Sequence, residues 1–337
     1  MMFILALAMF GVLIFFHELG HFTLAKLFGV KVREFAVGMG QKIYAVQRGE
    51  TLYSLRLLPI GGFVNLAGER PDDRDDERGF HRKSVGRRIL IIVAGPAMNF
   101  FLATLLFSAF YFVAGVFIDR PEIGRVFQGE PADQAGLRSG DRITAVDGRE
   151  VETWRELVEI INNKPNVPLR LEIERESGRQ NLAVTPRYDP EGRRGLIGVG
   201  PAVERFSFPS SVVRGAQSTA LITYLMIRSI VLAIGRQVGL DLVGPVGIVQ
   251  AAVEAANTGF SNFLWFAGIV SLTVGLVNLL PIPALDGSRI AFLTVEAVRG
   301  KPVDPEAEGF VHFIGFVLLL LLLLVVTYRD ILKLVVE

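Results

Sequence analysis

The sequence predicts a polytopic α-helical membrane protein of about four spans, with a β-hairpin between the first two and one small α+β domain inserted outside the cytoplasm. Three observations predict this. Hydrophobic residues make up 51% of the 337 positions and mean hydropathy is +0.43, too apolar for an ordinary soluble enzyme. Four stretches are long and apolar enough to cross a bilayer. Between the second and third, the chain turns charged, turn-rich and alternating.

The first stretch runs from Met2 to about Phe28. It lacks the basic start and the Ala-x-Ala-like site of a signal peptide. Nothing before His17 carries a positive charge, whereas Val30 to Arg88 holds twelve Lys and Arg residues. The positive-inside rule therefore puts residues 29–88 in the cytoplasm and the N-terminus outside. Within that loop, residues 42–64 alternate around Arg48-Gly49 as a hairpin does. The second stretch is Ile89–Ile118, so residues 1–118 form the first half of a membrane core.

Residues 119–203 read as a separate domain. Ala135-Gly136-Leu137 marks a short helix ending at Gly136, and Arg142–Val146 a strand. Asp147-Gly148 supplies the positive-φ turn of a tight hairpin. Thr153–Asn163 carries Trp154, Leu157, Val158 and Ile161 on one helical face. Two alternating strands then flank Ser177-Gly178, and GLIGVG at 195–200 is a candidate closing strand. Residues 204–262 read as a linker with an amphipathic helix at 219–235, whose short length and central Arg228 favour the membrane interface. Spans three and four, Phe263 to about Leu285 and Phe310–Tyr328, complete the core over 263–337 and leave the C-terminus outside.

Composition removes several function classes. A net charge of +1 gives no polyanion-binding bias, so nucleic acid is not an expected partner; the bilayer is. With no cysteine, neither disulfides nor thiolate metal sites are available. Only four histidines occur, at 17, 21, 81 and 312.

Two of them interrupt the first span, in FFHELGHF at 15–22. On a helix, His17 and His21 share a face one turn apart, with Glu18 beside them. This is HExxH, in which two imidazoles hold zinc and the glutamate handles the proton of the attacking water. Each ionisable group at bilayer depth costs about 2.5–3.5 kcal/mol, so three together require a compensating partner, and a Zn²⁺ ion is one. A third protein ligand is needed. His81 and His312 sit where bland readings suffice, so Asp286, in NLLPIPALDG at 278–287, is the better candidate. About 22 Å of helix separates Phe263 from Asn278, the same rise that brings the first span to His17. Pro281 and Pro283 then break the helix at that depth. Broken backbone is tolerated there only in a protein-buried or wet site. The competing reading is an interfacial aspartate capping a turn at Gly287.

The order and turns of the inserted domain resemble a bacterial PDZ domain, a fold that binds extended peptides by strand addition. HELGH in the first span, NLLPIPALDG in the third and that domain between spans together resemble the site-2 protease family, most closely its regulator-of-sigma-E protease type. GPAMN at 95–99, with its GPxxN pattern, and DLVGPVGI at 241–248 add to the likeness. The resemblance implies an intramembrane zinc metalloprotease. Its substrates would be single-span proteins such as an anti-sigma factor already trimmed by another protease. It implies that His17, His21 and Asp286 ligate zinc, that Glu18 is the general base, and that Asn278 and Asn99 contact substrate. It also places a re-entrant hairpin at about 34–66 and gives the PDZ domain a filtering role. Some relatives carry two such domains; this chain has room for one, and it reads LDGS where LDGG is commoner. The rival functions are a non-proteolytic PDZ scaffold and a zinc-binding transporter.

Overall fold

A computed structural model describes residues 2–69, 76–175, 178–235 and 243–336. The chain folds as two compact units, one made of residues 1–110 with 208–337 and the other of Tyr111–Ser207.

The first unit opens with α1 (Met2–Leu27), a 26-residue helix apolar on all sides apart from its last three turns. Gly29, at φ 68°, ends the helical segment and turns the chain into a long antiparallel hairpin of β1 (Val32–Arg48) and β2 (Thr51–Leu66). The turn falls at Gly49-Glu50, and repeated register shifts near Gly38, Gly40 and Gly61 bend the ribbon. Its base packs on α1 through aromatic edges, with Phe35 5.8 Å from Phe15 and 5.2 Å from Phe22. Its far part leaves Met39, Ile43, Tyr44, Leu55, Leu57 and Leu58 exposed, an apolar surface suited to lipid. The next helix, α2 (Val85–Ala114), starts and stops four residues before the predicted span. The basic turn Gly86-Arg87-Arg88 is helical, and Arg88 within it pairs with Glu296. Gly115, at φ 69°, sets the stop. Arg70 to Asp75, part of the charged run and of the basic count, lie outside the described residues.

The second unit contains β3 (Val116–Phe117), β4 (Ile123–Val126), α3 (Pro131–Gln134), β5 (Arg142–Val146), β6 (Arg149–Glu150), α4 (Trp154–Asn162), β7 (Leu169–Arg175), β8 (Gly178–Val184), β9 (Arg187–Asp189), β10 (Arg194–Leu196), β11 (Val199–Pro201) and β12 (Val203–Glu204). The main sheet has the order β6-β5-β7-β8. Asp147 and Gly148 both take positive φ, as a two-residue hairpin turn demands. Thr153 caps α4 through a full capping box with Glu156. Leu157 and Ile161 of α4 meet Ile143, Leu171 and Ile173 of the sheet in one core. GLIGVG is two short strands instead of one: Gly198, at φ 77°, breaks it so that β10 pairs with β9 and β11 with β4. Ser177, in the predicted β7–β8 turn, lies outside the described residues.

A buried ion pair fixes the end of that sheet. Arg175 donates to both oxygens of Asp141, at 2.6 and 2.7 Å, and Asp141 is 1% exposed. Burial works against ionisation there, but the Arg175 guanidinium and the Arg138 N–H outweigh it and hold the carboxyl below its ordinary value. A carboxylate with a depressed native pKa stabilises the fold fully above its unfolded value, and the contribution fades as pH falls through the native one. Amide protection of β5 and β7 is therefore expected to be flat through neutral pH and to drop below about pH 4. Arg175→Met, which strands the buried carboxylate, is expected to lower that protection at pH 7 by about 3 kcal/mol.

The first unit resumes with α5 (Phe208–Ile234), α6 (Pro245–Thr258), α7 (Phe260–Leu279), α8 (Asp286–Arg299) and α9 (Pro305–Val336). Helix α5 is 27 residues long, where the sequence predicts a short helix at 219–235. The stretch read as linker is helical because Pro209 falls in the first turn, where its missing N–H costs nothing. Gly215 lets α5 close on Ser108 of α2, and Thr219 Oγ1 meets Thr104 Oγ1 at 3.0 Å. The extension also moves Arg228 from the middle of the helix to its last two turns. Helices α1, α2, α5, α7 and α9 are all long and apolar enough to cross a membrane. Helix α6 is fixed from across the unit: Asp330 of α9, 8% exposed, accepts the backbone N–H groups of Gly244 and Gly247 at 3.3 and 2.8 Å. Asp241 and Leu242, which open the DLVGPVGI motif, lie outside the described residues.

Candidate metal centre

The site forms where α1, α2 and the start of α8 meet. His17 and His21 lie one turn apart on α1, both 9% exposed. Two glycines let α2 come close enough to bury them. A Cβ on Gly20 would lie 2.1 Å from the Ala94 carbonyl oxygen, and one on Gly95 2.2 Å from His21 Nε2. His21 Nδ1 stands 2.9 Å from the Ile91 carbonyl, which can accept its proton. Ring orientation at both positions is thus set by α2.

The third group arrives from the broken end of α7. The helix stops at Leu279, and the chain turns through Pro281 and Pro283 to Ala284, a non-glycine residue at φ 74°. The Ala284 N–H donates to His312 Nδ1 at 3.1 Å, and Gly315 of α9 packs on Pro283. Gly287 seats against the end of α7, where a Cβ would lie 2.1 Å from the Leu280 carbonyl oxygen. Asp286 is therefore the first residue of α8, aimed back at α1. Along α8, Arg289 pairs with Glu69 just after β2, and Arg88 of α2 reaches Glu296.

Three donor atoms converge. His17 Nε2 and His21 Nε2 lie 3.1 and 3.3 Å from Asp286 Oδ2 and 3.2 Å from each other. Asp286 Oδ2 is buried and makes no hydrogen bond. Atoms bonded to one tetrahedral zinc at about 2.0–2.1 Å stand about 3.3 Å apart. These spacings are the edges of such a tetrahedron, and a cation there would satisfy the carboxylate oxygen. The residues fit zinc: two imidazoles and one carboxylate, with the fourth position left for water or substrate. Among the described residues this is the one cluster of three His or acidic groups with metal-binding spacing.

Glu18 lies beside the cluster with its side chain against β2, its Cγ 3.1 Å from where a Gly62 Cβ would be. Asn278, in the last turn of α7, folds back to donate to the Val274 carbonyl at 3.0 Å. Asn99 is wholly buried behind His17, with Nδ2 3.3 Å from His17 Nδ1. That burial is at odds with the substrate contact expected of it. His81 meets the Gly68 carbonyl at 3.2 Å, and with His312 it borders a cavity of about 300 Å³ beside α8, away from the three donors. Sequence reasoning gave no packing role to Gly20, Gly62 and Gly95, and it set His312 aside. The first three carry no chemistry of their own, and only the small-residue run AGP at 94–96 hinted at a close approach.

The Peptidase family M50 profile matches residues 5–322. The chain belongs to peptidase family M50. Zinc metalloprotease RasP of Geobacillus kaustophilus is 36% identical, over 97% of this chain and 97% of its own length. A putative zinc metalloprotease of Clostridium acetobutylicum is 37% identical, over 97% and 96%. Regulator of sigma-W protease RasP of Bacillus subtilis is 33% identical, over 96% and 97%. The Geobacillus match runs over 412 positions and the Clostridium match over 333, so the former carries a stretch that this M50 chain lacks. Among solved structures, the PDZ domain of an SdrC-like protein from Listeria monocytogenes matches 26% of this chain and 90% of its own, at 23% identity and a TM-score of 0.23. With family and relatives in agreement, the chain is a zinc-dependent intramembrane metalloprotease of the site-2 type. The scaffold and transporter alternatives are not favoured.

Proposed function

We propose that His17, His21 and Asp286 hold the zinc of this M50 protease and that Glu18 is its general base. The observation that carries this is the convergence of the three donor atoms on one point beside Glu18, at the end of a helix long enough to span a bilayer. Zinc bound there supplies Lewis acidity to the peptide carbonyl and acidifies water to a pKa of about 7. Glu18 takes the proton of the attacking water and passes it to the leaving amine. Asn278, at the break after α7, is positioned to donate to the developing oxyanion once substrate draws it from Val274.

A transmembrane helix hides its carbonyls in hydrogen bonds, so the substrate has to be unwound before it is cut. The edge of the β1–β2 hairpin beside Glu18 offers backbone pairing to an extended segment. The substrates are single-span membrane proteins, an anti-sigma factor first trimmed by another protease among them. The name of the Bacillus subtilis relative, a regulator of sigma-W, supports this. The PDZ-like domain of residues 119–203 stands outside and screens substrates by the bulk of their outer part.

The enzyme sits in the bacterial cytoplasmic membrane, with residues 29–88 inside and the N-terminus outside, as the basic residues direct. Crossings by α1, α2, α7 and α9 leave the C-terminus outside. Helix α5 does not add a fifth. Gly244 meets Asp330 near the outer end of α9. Only nine residues, 235–243, separate Ile234 from Gly244.

The test uses purified protein in detergent, wild type beside Glu18→Gln, with a single-span peptide bearing a short outer stub. The expected result is a cut inside the apolar segment by wild type, lost by at least 100-fold in Glu18→Gln, with zinc content equal in both. Cleavage retained by Glu18→Gln would reject Glu18 as the base.

A further inference from the structure

The buried amide of Asn99 has no role in the chemistry above, and its surroundings define one. Asn99 sits on α2, 0% exposed, with its backbone carbonyl accepting from Ser271 Oγ of α7 at 2.8 Å. Gly275 of α7 closes over it, where a Cβ would lie 3.1 Å from Asn99 Cβ. The side chain is closed off from solvent on every side. Its amide points at one partner, His17 Nδ1, 3.3 Å from Nδ2, while Oδ1 is buried without a hydrogen bond.

A neutral imidazole carries one proton. His17 Nε2 is the nitrogen that converges with His21 Nε2 and Asp286 Oδ2, so ligation needs its lone pair and the proton has to be on Nδ1. An Nδ1–H buried at this depth requires an acceptor. The amide N and O of asparagine exchange places by a half-turn about the Cβ–Cγ bond, which brings the unused Oδ1 to His17. His21 shows the same logic already completed, with the Ile91 carbonyl facing its Nδ1.

We propose that Asn99 is a positioning residue of the metal centre, its Oδ1 accepting the Nδ1 proton of His17 so that Nε2 is held free and correctly aimed to ligate zinc. Asn99 thereby ties metal loading to the α1–α2 contact. The inference rests on His17 being a ligand.

The experiment measures zinc dissociation constants by chelator competition on the purified full-length protein, with thermal unfolding of each metal-free variant as the folding control. Asn99→Leu, similar in size and without an acceptor, is expected to weaken zinc by 10- to 100-fold, the usual cost of losing such a partner. Asn99→Ala is the second acceptor-free variant should the leucine not fold. Asn99→Asp, which keeps an oxygen at the position, is expected to hold zinc within about threefold of wild type. Wild-type affinity in a folded acceptor-free variant, or an aspartate variant as weak as the leucine one, would overturn the proposal. His17→Ala separates the premises. If it keeps wild-type affinity, the ligand assignment fails; if it loses zinc while a folded acceptor-free variant does not, only the role of Asn99 fails.

Discussion

Gly95→Ala is expected to strip the enzyme of zinc although position 95 carries no functional group. The added methyl would lie 2.2 Å from His21 Nε2, 2.4 Å from Cε1 and 2.9 Å from Cδ2. No side-chain flexibility absorbs that, because the intruding atom sits on helix backbone and the ring is itself enclosed. The imidazole has to leave, and with it one of three donors. Removing a partner of a ligand costs 10- to 100-fold in metal affinity, so removing the ligand itself should exceed about 100-fold. Zinc content after dialysis and chelator competition measure it directly. Far-UV circular dichroism should show the helices intact, since alanine is a better helix former than glycine.

Gly62→Val is expected to produce the complementary defect. A Cβ there would lie 2.9 Å from the Ala36 carbonyl oxygen and 3.1 Å from both Glu18 Cγ and Ile14 Cγ2. Valine adds two methyl groups to that crowded spot, pushing Glu18 aside and lifting β2 from α1. None of the three proposed metal donors is among the atoms nearest that Cβ. Zinc should stay bound while cleavage falls by at least about 100-fold, within the range that general-base catalysis contributes. Initial rates with a fluorogenic single-span substrate, paired with zinc analysis of the same sample, separate this from Gly95→Ala. Loss of both metal and activity would mean that the hairpin supports the metal ligands as well as the base.

These two glycines also show where sequence reading stopped. The residues proposed to carry the chemistry announce themselves because they occur where the bilayer penalises them: His17, Glu18 and His21 in an apolar run, and Asp286 after two prolines. Spacing alone put the histidines on one face, and a break in an apolar helix singled out the aspartate. Turns were legible for the same kind of reason. Asp147-Gly148 and the capping box at Thr153 have local backbone demands that few residues meet. Legibility failed where the partner is distant in sequence. Gly95 is defined by His21, Asn99 by His17, and His312 by Ala284, and none of these pairings leaves a periodic trace. Helix α5 was misjudged from composition because Phe208–Ala216 is polar enough to pass for linker. In the structure its Gly215 and Thr219 face small residues of α2, a contact no window of α5 could reveal.

The proposed metal donors are also widely separated along the chain: two are residues 17 and 21 and the third is residue 286. At about 5–20 residues per second, roughly 15–50 seconds of synthesis pass between the emergence of His21 and that of Asp286. Throughout that interval the nascent enzyme holds two imidazoles and no third donor, and Glu18 has no activated water to deprotonate. Helix α6 waits longer still for Asp330, 44 residues beyond Asp286. On the proposed donor set, a protease that cuts membrane helices is thus inert while its first helices are being inserted, and its competence waits for Asp286.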